Sequence, residues 1–163
     1  MIGKVIKYNL KNINTDLIIP ARYLIKSDDI YLAQHCMEDL DRDFVEKVKT
    51  ENYQILVADS NFGCGSSREQ APSAIKASGI TCLIAPSFAR IFFRNAINIG
   101  LPIIEFPSIG KLKTDDILNI HFEEGLMKNI STAEEFQVKK QPSFLQQIIS
   151  AKGLINFARK QIE

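Results

Sequence analysis

The sequence predicts an α/β domain in which parallel strand–helix units are followed by an antiparallel β region. Three apolar runs, at residues 54–58, 80–85 and 102–106, alternate with two helical segments across short connections. Such connections imply parallel strands with right-handed crossovers. After Gly110, shorter apolar runs separated by turn residues indicate hairpins instead. The whole chain, residues 1–163, is long enough for a single domain with its own core.

The first third of the chain is less regular. Alternating and β-branched residues predict a first strand at residues 4–8. Residues 11–29 contain several polar and proline breakers and are expected to form a long irregular loop. We expect this loop to be mobile in the isolated chain. Two short helices are predicted at residues 30–37 and 41–49.

The remaining elements are predicted from glycines that end helices and from the periodicity of apolar residues. A helix is predicted at residues 66–78, ended by Gly79, and a second one opens at Pro86 and ends at Gly100. The C-terminal segment, residues 142–163, is predicted to be helical, as one helix or as two broken at Gly153. Short strands are predicted at residues 117–122, 126–130 and 136–140.

Composition and charge exclude several classes of protein. A formal net charge of +1 argues against nucleic-acid binding, which needs a basic surplus. No apolar run approaches the length of a membrane helix or of a signal peptide, so we expect a cytoplasmic protein without a membrane partner. Cys36, Cys64 and Cys82 form no CxxC pair, which favours two core cysteines and one special cysteine over a metal site. An iron–sulfur cluster held by all three is the weaker alternative.

The densest chemical signal lies between the strand at 54–58 and the helix that follows it. Gly63 and Gly65 allow a sharp turn and close approach of a ligand. Ser66, Ser67 and Arg68 are then expected in the first helical turn, where free N–H groups and the helix dipole favour an anion. The Arg68 guanidinium suits a carboxylate or a phosphate. The segment therefore predicts an anion-binding loop that carries a hydroxyl group.

Other interpretations of this segment are weaker. Ser66 or Ser67 would serve as a helix N-cap with Glu69 as capping partner, which is compatible with anion binding. A dinucleotide fingerprint lacks its third glycine and its acidic ribose ligand, and a phosphate loop lacks Gly-Lys-Ser/Thr. A serine hydrolase needs a histidine base, and His35 and His121 are both remote in sequence.

The segment Asn61–Glu69 resembles the signature of the aconitase-type swivelling domain, and most closely that of the free-standing small subunits of 3-isopropylmalate dehydratase. Three further stretches agree in the same order: residues 14–24, 87–96 and 98–102. The resemblance covers about residues 1–125. It implies a swivelling β/β/α barrel-like fold of three layers with a mixed sheet. It also implies a hydro-lyase that dehydrates and rehydrates hydroxy di- or tricarboxylic acids.

The resemblance also implies roles for individual residues. Ser66 would be the catalytic base, and Asp16 would support catalysis from the N-terminal loop. Arg22 lies beside that loop and is a weak candidate for an anion role. The substrate-binding residues implied around the glycine turn are Thr15, Gly65, Ser67 and Arg68.

Four residues at and just after the end of the N-terminal motif are implied to bind the substrate: Tyr23, Leu24, Ile25 and Lys26. Those that follow Leu24 are implied to select it. The apolar Ile25 suits an isopropyl group, whereas Lys26 would suit a distal carboxylate or point to solvent. Arg90 and Arg94 share a helix face, and three roles remain open for them. They would brace the site, face a partner subunit or pair with surface acids.

The implied function is the isomerisation of 2-isopropylmalate and 3-isopropylmalate, in leucine biosynthesis, by a small subunit active only with a large subunit. The chain itself would hold no metal, and a [4Fe-4S] cluster would lie on that partner. The isolated small subunit would be free to form a homo-oligomer. The alternatives are a homoaconitase-type or citramalate/methylmalate-type small subunit, or a non-catalytic module that binds anions or RNA.

Overall fold

The computed structural model describes residues 1–26 and 28–162, and these residues form one seven-stranded mixed sheet. Its strand order is β4-β3-β2-β1-β5-β6-β7. Neighbours from β1 to β4 are parallel, and β1 and β5 to β7 are paired antiparallel. The predicted α/β class, with parallel units followed by an antiparallel region, is confirmed. The strands are β1 (Ile2–Tyr8), β2 (Tyr53–Ala58), β3 (Cys82–Ala85), β4 (Ile103–Glu105), β5 (Ile117–His121), β6 (Leu126–Asn129) and β7 (Glu134–Gln137).

The helices differ from prediction mainly at their N-termini. α4 begins four residues later than predicted, at Gln70, and the predicted irregular loop at 11–29 contains α1 and a 3-10 turn, Ala21–Tyr23. No helix in the described part of the chain combines the length and the apolar character needed to cross a membrane. The helices are α1 (Thr15–Ile18), α2 (Asp29–Gln34), α3 (Phe44–Thr50), α4 (Gln70–Ala77), α5 (Arg90–Asn98), α6 (Ser143–Ser150) and α7 (Leu154–Ile162).

The sheet is buried on both faces. Because side chains alternate along a strand, Val5 and Ile6 of β1 enter two different core clusters. The cluster around Ile6 is covered by the helices, and Phe44 and Phe92 are among its fully enclosed side chains. The cluster around Val5 is closed by the antiparallel strands, for example by Met127. Each such buried side chain contributes about 1.5–3 kcal/mol.

The sheet curls so that its two ends approach each other. The rings of Phe106, just after β4, and Phe136 in β7 lie 5.2 Å apart. The Gln141 side chain donates a 2.6 Å hydrogen bond to the carbonyl of Ile103 in β4. These contacts partly close the open edge of β4. The geometry is barrel-like, as the resemblance implies.

The loops after β1, β2 and β3 are joined by backbone bridges at the carboxyl edge of the parallel strands. Isolated parallel bridges join Asn14 to Cys64 and Phe62 to Phe88. The loop after β1 is anchored to the core cluster around Ile6, because Ile13 and Ile18 are fully buried there. Ligand sites of α/β sheets commonly lie at this edge.

The C-terminal segment divides into α6 and α7 at Gly153, whose φ of 128° is outside the helical range. Its backbone N–H donates to the carbonyl of Ile148. The rings of Phe144 and Phe157 pack edge to face across the two helices, 5.5 Å apart. Both helices contact α5, which follows β3.

Candidate active site

Two glycines shape the loop between β2 and α4. Gly63 and Gly65 have φ values of 76° and 94°, in the left-handed region that favours glycine. A Cβ atom at Gly63 would lie 2.2 Å from Cγ of Phe92, so a side chain has no room there. The Gly63 N–H donates to the carbonyl of Ile13 at 2.7 Å. Residue 63 is thereby fixed between α5 and the loop after β1.

The expectation that Ser66, Ser67 and Arg68 open a helix is wrong. They precede α4 as non-helical backbone, and the N-cap residue is Glu69, which makes no side-chain capping bond. The reason lies in the loop after β1. The Thr15 hydroxyl donates to the carbonyl of Ser66 at 3.0 Å, while the Thr15 N–H donates to the carbonyl of Cys64. These carbonyls are held by Thr15, and the first helical turn forms only beyond them.

The loop borders an open cleft of about 540 Å³. Its opposite wall is the start of α5, whose N-cap residue Ala89 makes no side-chain capping bond. The helix whose N-terminus lies at the cleft is therefore α5, whereas the sequence predicted α4. The predicted site residues that line the cleft are Thr15, Gly65, Ser66, Ser67 and Arg68.

Arg68 is held by two acceptors from the N-terminal loop. Its Nη1 atom lies 2.7 Å from Oδ1 of Asp16 and 3.0 Å from the carbonyl oxygen of Ile19. The Arg68 side chain is 12% exposed, whereas that of Asp16 is 57% exposed. Asp16 is absent from the lining of the cleft and contacts the site through Arg68. A catalytic role for Asp16 stays a prediction, and its observed contact is a positioning one.

The residues predicted to bind the substrate at the end of the N-terminal motif do not line the cleft: Tyr23, Leu24, Ile25 and Lys26. Ile25 is 80% exposed. The Nζ atom of Lys26 lies 4.8 Å from the centre of the Tyr31 ring, at the start of α2. Lys26 thus rests on an aromatic face of its own chain. Substrate selection by these residues stays a prediction.

Tyr23 belongs to a polar cluster beside α2. Its ring stacks on His35 with centres 3.7 Å apart, and its hydroxyl donates to Glu38 at 2.8 Å. The hydrogen bonds from His35 and Tyr23 hold the pKa of the Glu38 carboxylate below its ordinary value. Arg22 donates to Asp39, at 2.9 Å through Nη1. The guanidinium of Arg22 is thereby paired with carboxylates of its own chain.

The structure adds residues of α5 to the lining of the cleft. The sequence left the role of some of them open and gave no indication of the others. Arg90 and Arg94 line the cleft opposite the serines, together with Ile91 and Phe92. Four-residue spacing on a predicted helix was the available signal for the arginines. The Phe92–Gly63 contact had no local signal, because it joins helix α5 to a loop that is distant in sequence.

The three cysteines do not come together. Cys36 and Cys82 are buried in the two separate core clusters, and burial raises the pKa of both thiols. Cys64 is half-buried in the loop, beside Gly65. Within residues 1–26 and 28–162, no group of three or more His, Cys, Asp or Glu side chains is arranged to hold a metal ion. These residues do not fit an iron–sulfur cluster.

Comparisons with known proteins identify the family and the fold. Residues 2–109 match the family model of the aconitase C-terminal domain. The small subunit of 3-isopropylmalate dehydratase from Ruminiclostridium cellulolyticum is 55% identical over 98% of this chain and 97% of its own. The small subunit of 2,3-dimethylmalate dehydratase from Eubacterium barkeri is 51% identical over 95% and 94%. The crystal structure of 3-isopropylmalate dehydratase from Methanocaldococcus jannaschii superposes with a TM-score of 0.90 at 40% identity, covering 99% of this chain and 95% of that one.

Proposed function

The chain belongs to the aconitase C-terminal domain family, and we propose that it is the small subunit of a 3-isopropylmalate dehydratase. With a large subunit, it would interconvert 2-isopropylmalate and 3-isopropylmalate by dehydration and rehydration. The observation that carries the proposal is the cleft lined together by Ser66, Ser67 and Arg68. A cytoplasmic location and leucine biosynthesis are part of the same proposal.

In the proposed reaction, Ser66 is the catalytic base. The Ser66 Oγ atom, as alkoxide, takes a proton from the carbon next to a carboxylate. The electron pair of that C–H bond forms the C=C bond as the hydroxyl group leaves the neighbouring carbon as hydroxide. In rehydration, hydroxide adds to the carbon that lost the proton, and Ser66 delivers the proton to the carbon that lost the hydroxyl group, which yields the isomer. A serine is a poor base unless its negative charge is stabilised, and Arg68 supplies positive charge for this.

Ser67 and Arg68 would hold the carboxylate that lies beside this proton. The Asp16 carboxylate and the Ile19 carbonyl fix Nη1 of Arg68, which sets the direction of its remaining N–H groups. A guanidinium fixed in this way loses little conformational entropy when the substrate binds. The role of Asp16 in this scheme is to position Arg68.

The iron–sulfur cluster is proposed to lie on the large subunit, as the resemblance implies. When bound there, it supplies a Lewis acid for the departing hydroxyl group. The described residues of this chain lack a ligand set for it. The dependence of activity on the large subunit follows from this division of labour.

The proposed substrate carries an alkyl group in place of a further carboxylate. Contact between Lys26 and the Tyr31 ring supports this, because it leaves the exposed Ile25 as the free side chain of the segment. A second candidate is 2,3-dimethylmalate, favoured by the Eubacterium barkeri relative. Both acids are alkyl-substituted malates. Homocitrate and citramalate remain the further alternatives.

The test is an anaerobic assay of the chain with its large subunit after cluster reconstitution. Formation of the unsaturated acid is followed from 3-isopropylmalate, 2,3-dimethylmalate, homocitrate and citramalate in parallel. We expect turnover of 3-isopropylmalate and a fall in kcat of about 10²–10⁴-fold in Ser66→Ala. Ser143→Ala, at the exposed start of α6, is the matched control and should keep full activity.

Three outcomes would count against the proposal. Preference for homocitrate would assign specificity to Lys26 instead of Ile25. Unchanged kcat in Ser66→Ala would remove Ser66 as the base. No turnover of any of the four acids by properly associated subunits would favour a non-catalytic anion-binding module.

A further inference from the structure

We propose that Arg90 and Arg94 form a second carboxylate subsite. It binds the substrate carboxylate that is not held by the Ser66 loop, which is the loop between β2 and α4 (residues 59–69). The inference rests on the proposed function, because it requires a substrate with two carboxylates. It assigns one carboxylate to each wall of the cleft. Arg68 and the serines take the first, and the start of α5 takes the second.

The position of the two arginines is the first argument. Residues 90 and 94 are one helical turn apart, so their side chains leave α5 on the same face. Both line the cleft of about 540 Å³ that also contains Ser66 and Arg68. Both are exposed and are thus accessible to a small ligand. The cleft is large enough for a molecule the size of an alkyl malate.

Their lack of an internal partner is the second argument. Within the described residues, neither Arg90 nor Arg94 has a carboxylate within ion-pair distance. Arg68, by contrast, is paired with Asp16, and Arg22 is paired with Asp39. The unpaired positive charges of this region are therefore concentrated on one wall of the cleft.

Charge balance is the third argument. The largely exposed Asp16 offsets part of the charge of Arg68, so the Ser66 loop alone brings less than one net positive charge to a substrate with two negative charges. A carboxylate left unpaired after the subunits close over it would be strongly unfavourable, because it loses its hydration and gains no partner. Arg90 and Arg94 together add two positive charges, which matches a dianion. Guanidinium groups suit this purpose because they can bind a carboxylate through two parallel hydrogen bonds.

The test uses the assembled enzyme and separates substrate binding from subunit association. We expect Arg90→Gln and Arg94→Gln each to raise KM for the dicarboxylate substrate about 10- to 100-fold, with kcat changed much less. Arg90→Lys should recover part of the loss, because it keeps the charge without the planar fork of donors. Arg159→Gln, on the exposed side of α7, is the matched control and should leave KM unchanged.

A binding measurement that does not depend on turnover completes the test. Malate and lactate are hydroxy acids with two and one carboxylates, and both are titrated into the assembled subunits by calorimetry. Arg90→Gln should weaken malate binding strongly and lactate binding little. Equal loss for both ligands, or no loss for either, would overturn the subsite.

Other outcomes separate this inference from the proposed function. An active wild-type enzyme whose KM is unchanged in both glutamine variants would overturn the subsite alone. Weaker subunit association, measured by sedimentation, with a normal KM at saturating large subunit would assign the arginines to docking and also overturn it. An inactive wild-type complex would refute the proposed function, and the malate and lactate titrations would then still decide the subsite.

Discussion

Replacement of Gly63 by alanine tests how the candidate site is held in place. The added Cβ would lie 2.2 Å from Cγ of Phe92 and 2.6 Å from its Cβ. Phe92 is 2% exposed, and its ring is in edge contact with Phe62 at 5.2 Å between centres, so it has little space to retreat. The loop must therefore shift, and Ser66 and Arg68 shift with it.

The expected loss of stability has two parts. An L-residue at φ 76° costs about 1–2 kcal/mol in backbone strain. Overpacking against a buried ring costs about 1–3 kcal/mol more. The free energy of unfolding should therefore fall by about 2–5 kcal/mol, a large part of the ~5–15 kcal/mol typical of a domain.

Urea unfolding followed by circular dichroism measures this loss, and two other glycines serve as controls. At Gly65, φ is 94° and the nearest atom to an added Cβ is 3.4 Å away, so Gly65→Ala should cost only the strain of about 1–2 kcal/mol. At Gly110, nothing lies within 4 Å of an added Cβ, and Gly110→Ala should change stability by less than about 0.5 kcal/mol. If Gly63→Ala cost no more than Gly65→Ala, the argument from the Phe92 contact would be refuted.

Three further predictions concern the rest of the chain. Asn129→Ala removes the 2.8 Å hydrogen bond to the buried Asp116 carboxylate and should lower the free energy of unfolding by about 1–3 kcal/mol in a urea titration at pH 7. The pKa of Glu38 is lowered in the folded state, so its stabilising contribution is complete above the ordinary value of 4.5 and is lost as the pH falls through the lowered pKa. The stability gap between wild type and Glu38→Gln should therefore shrink at strongly acidic pH, and a gap independent of pH would contradict this. In hydrogen exchange, residues 21–26 should exchange faster than residues 13–19, which are held by buried isoleucines and the bridge to the Ser66 loop; equal rates would contradict the anchoring.

Local patterns predict the sheet and the cleft loop well, because both depend on short-range signals. Alternation and glycine spacing identified the parallel strands and placed Ser66, Ser67 and Arg68 beside a turn. The first residue of α4 could not be predicted in this way. Thr15 decides it, about 50 residues earlier in the chain, by holding the carbonyls of Cys64 and Ser66.

The substrate-selecting segment shows a different limit. Its sequence places Tyr23 at the end of the N-terminal motif and Lys26 just after it, which suggests that they reach the same site. In the structure, the side chains turn toward α2, because aromatic stacking on His35 and contact with Tyr31 offer them nearer partners. Such contacts join separate segments and produce no hydrophobic periodicity that could be recognised in the sequence.

The central position of β1 has a consequence for how the chain folds. This strand is paired with β2 on one side and with β5 on the other, and it joins Ile2 to Asn119 across most of the sequence. Neither half of the sheet can complete its core until β1 is in place, so we expect one cooperative unfolding transition. Pairing between such distant residues is slow, since a large loop must close first. The cleft, lined by residues between Thr15 and Arg94, is thus expected to form only after β1 has paired with β2.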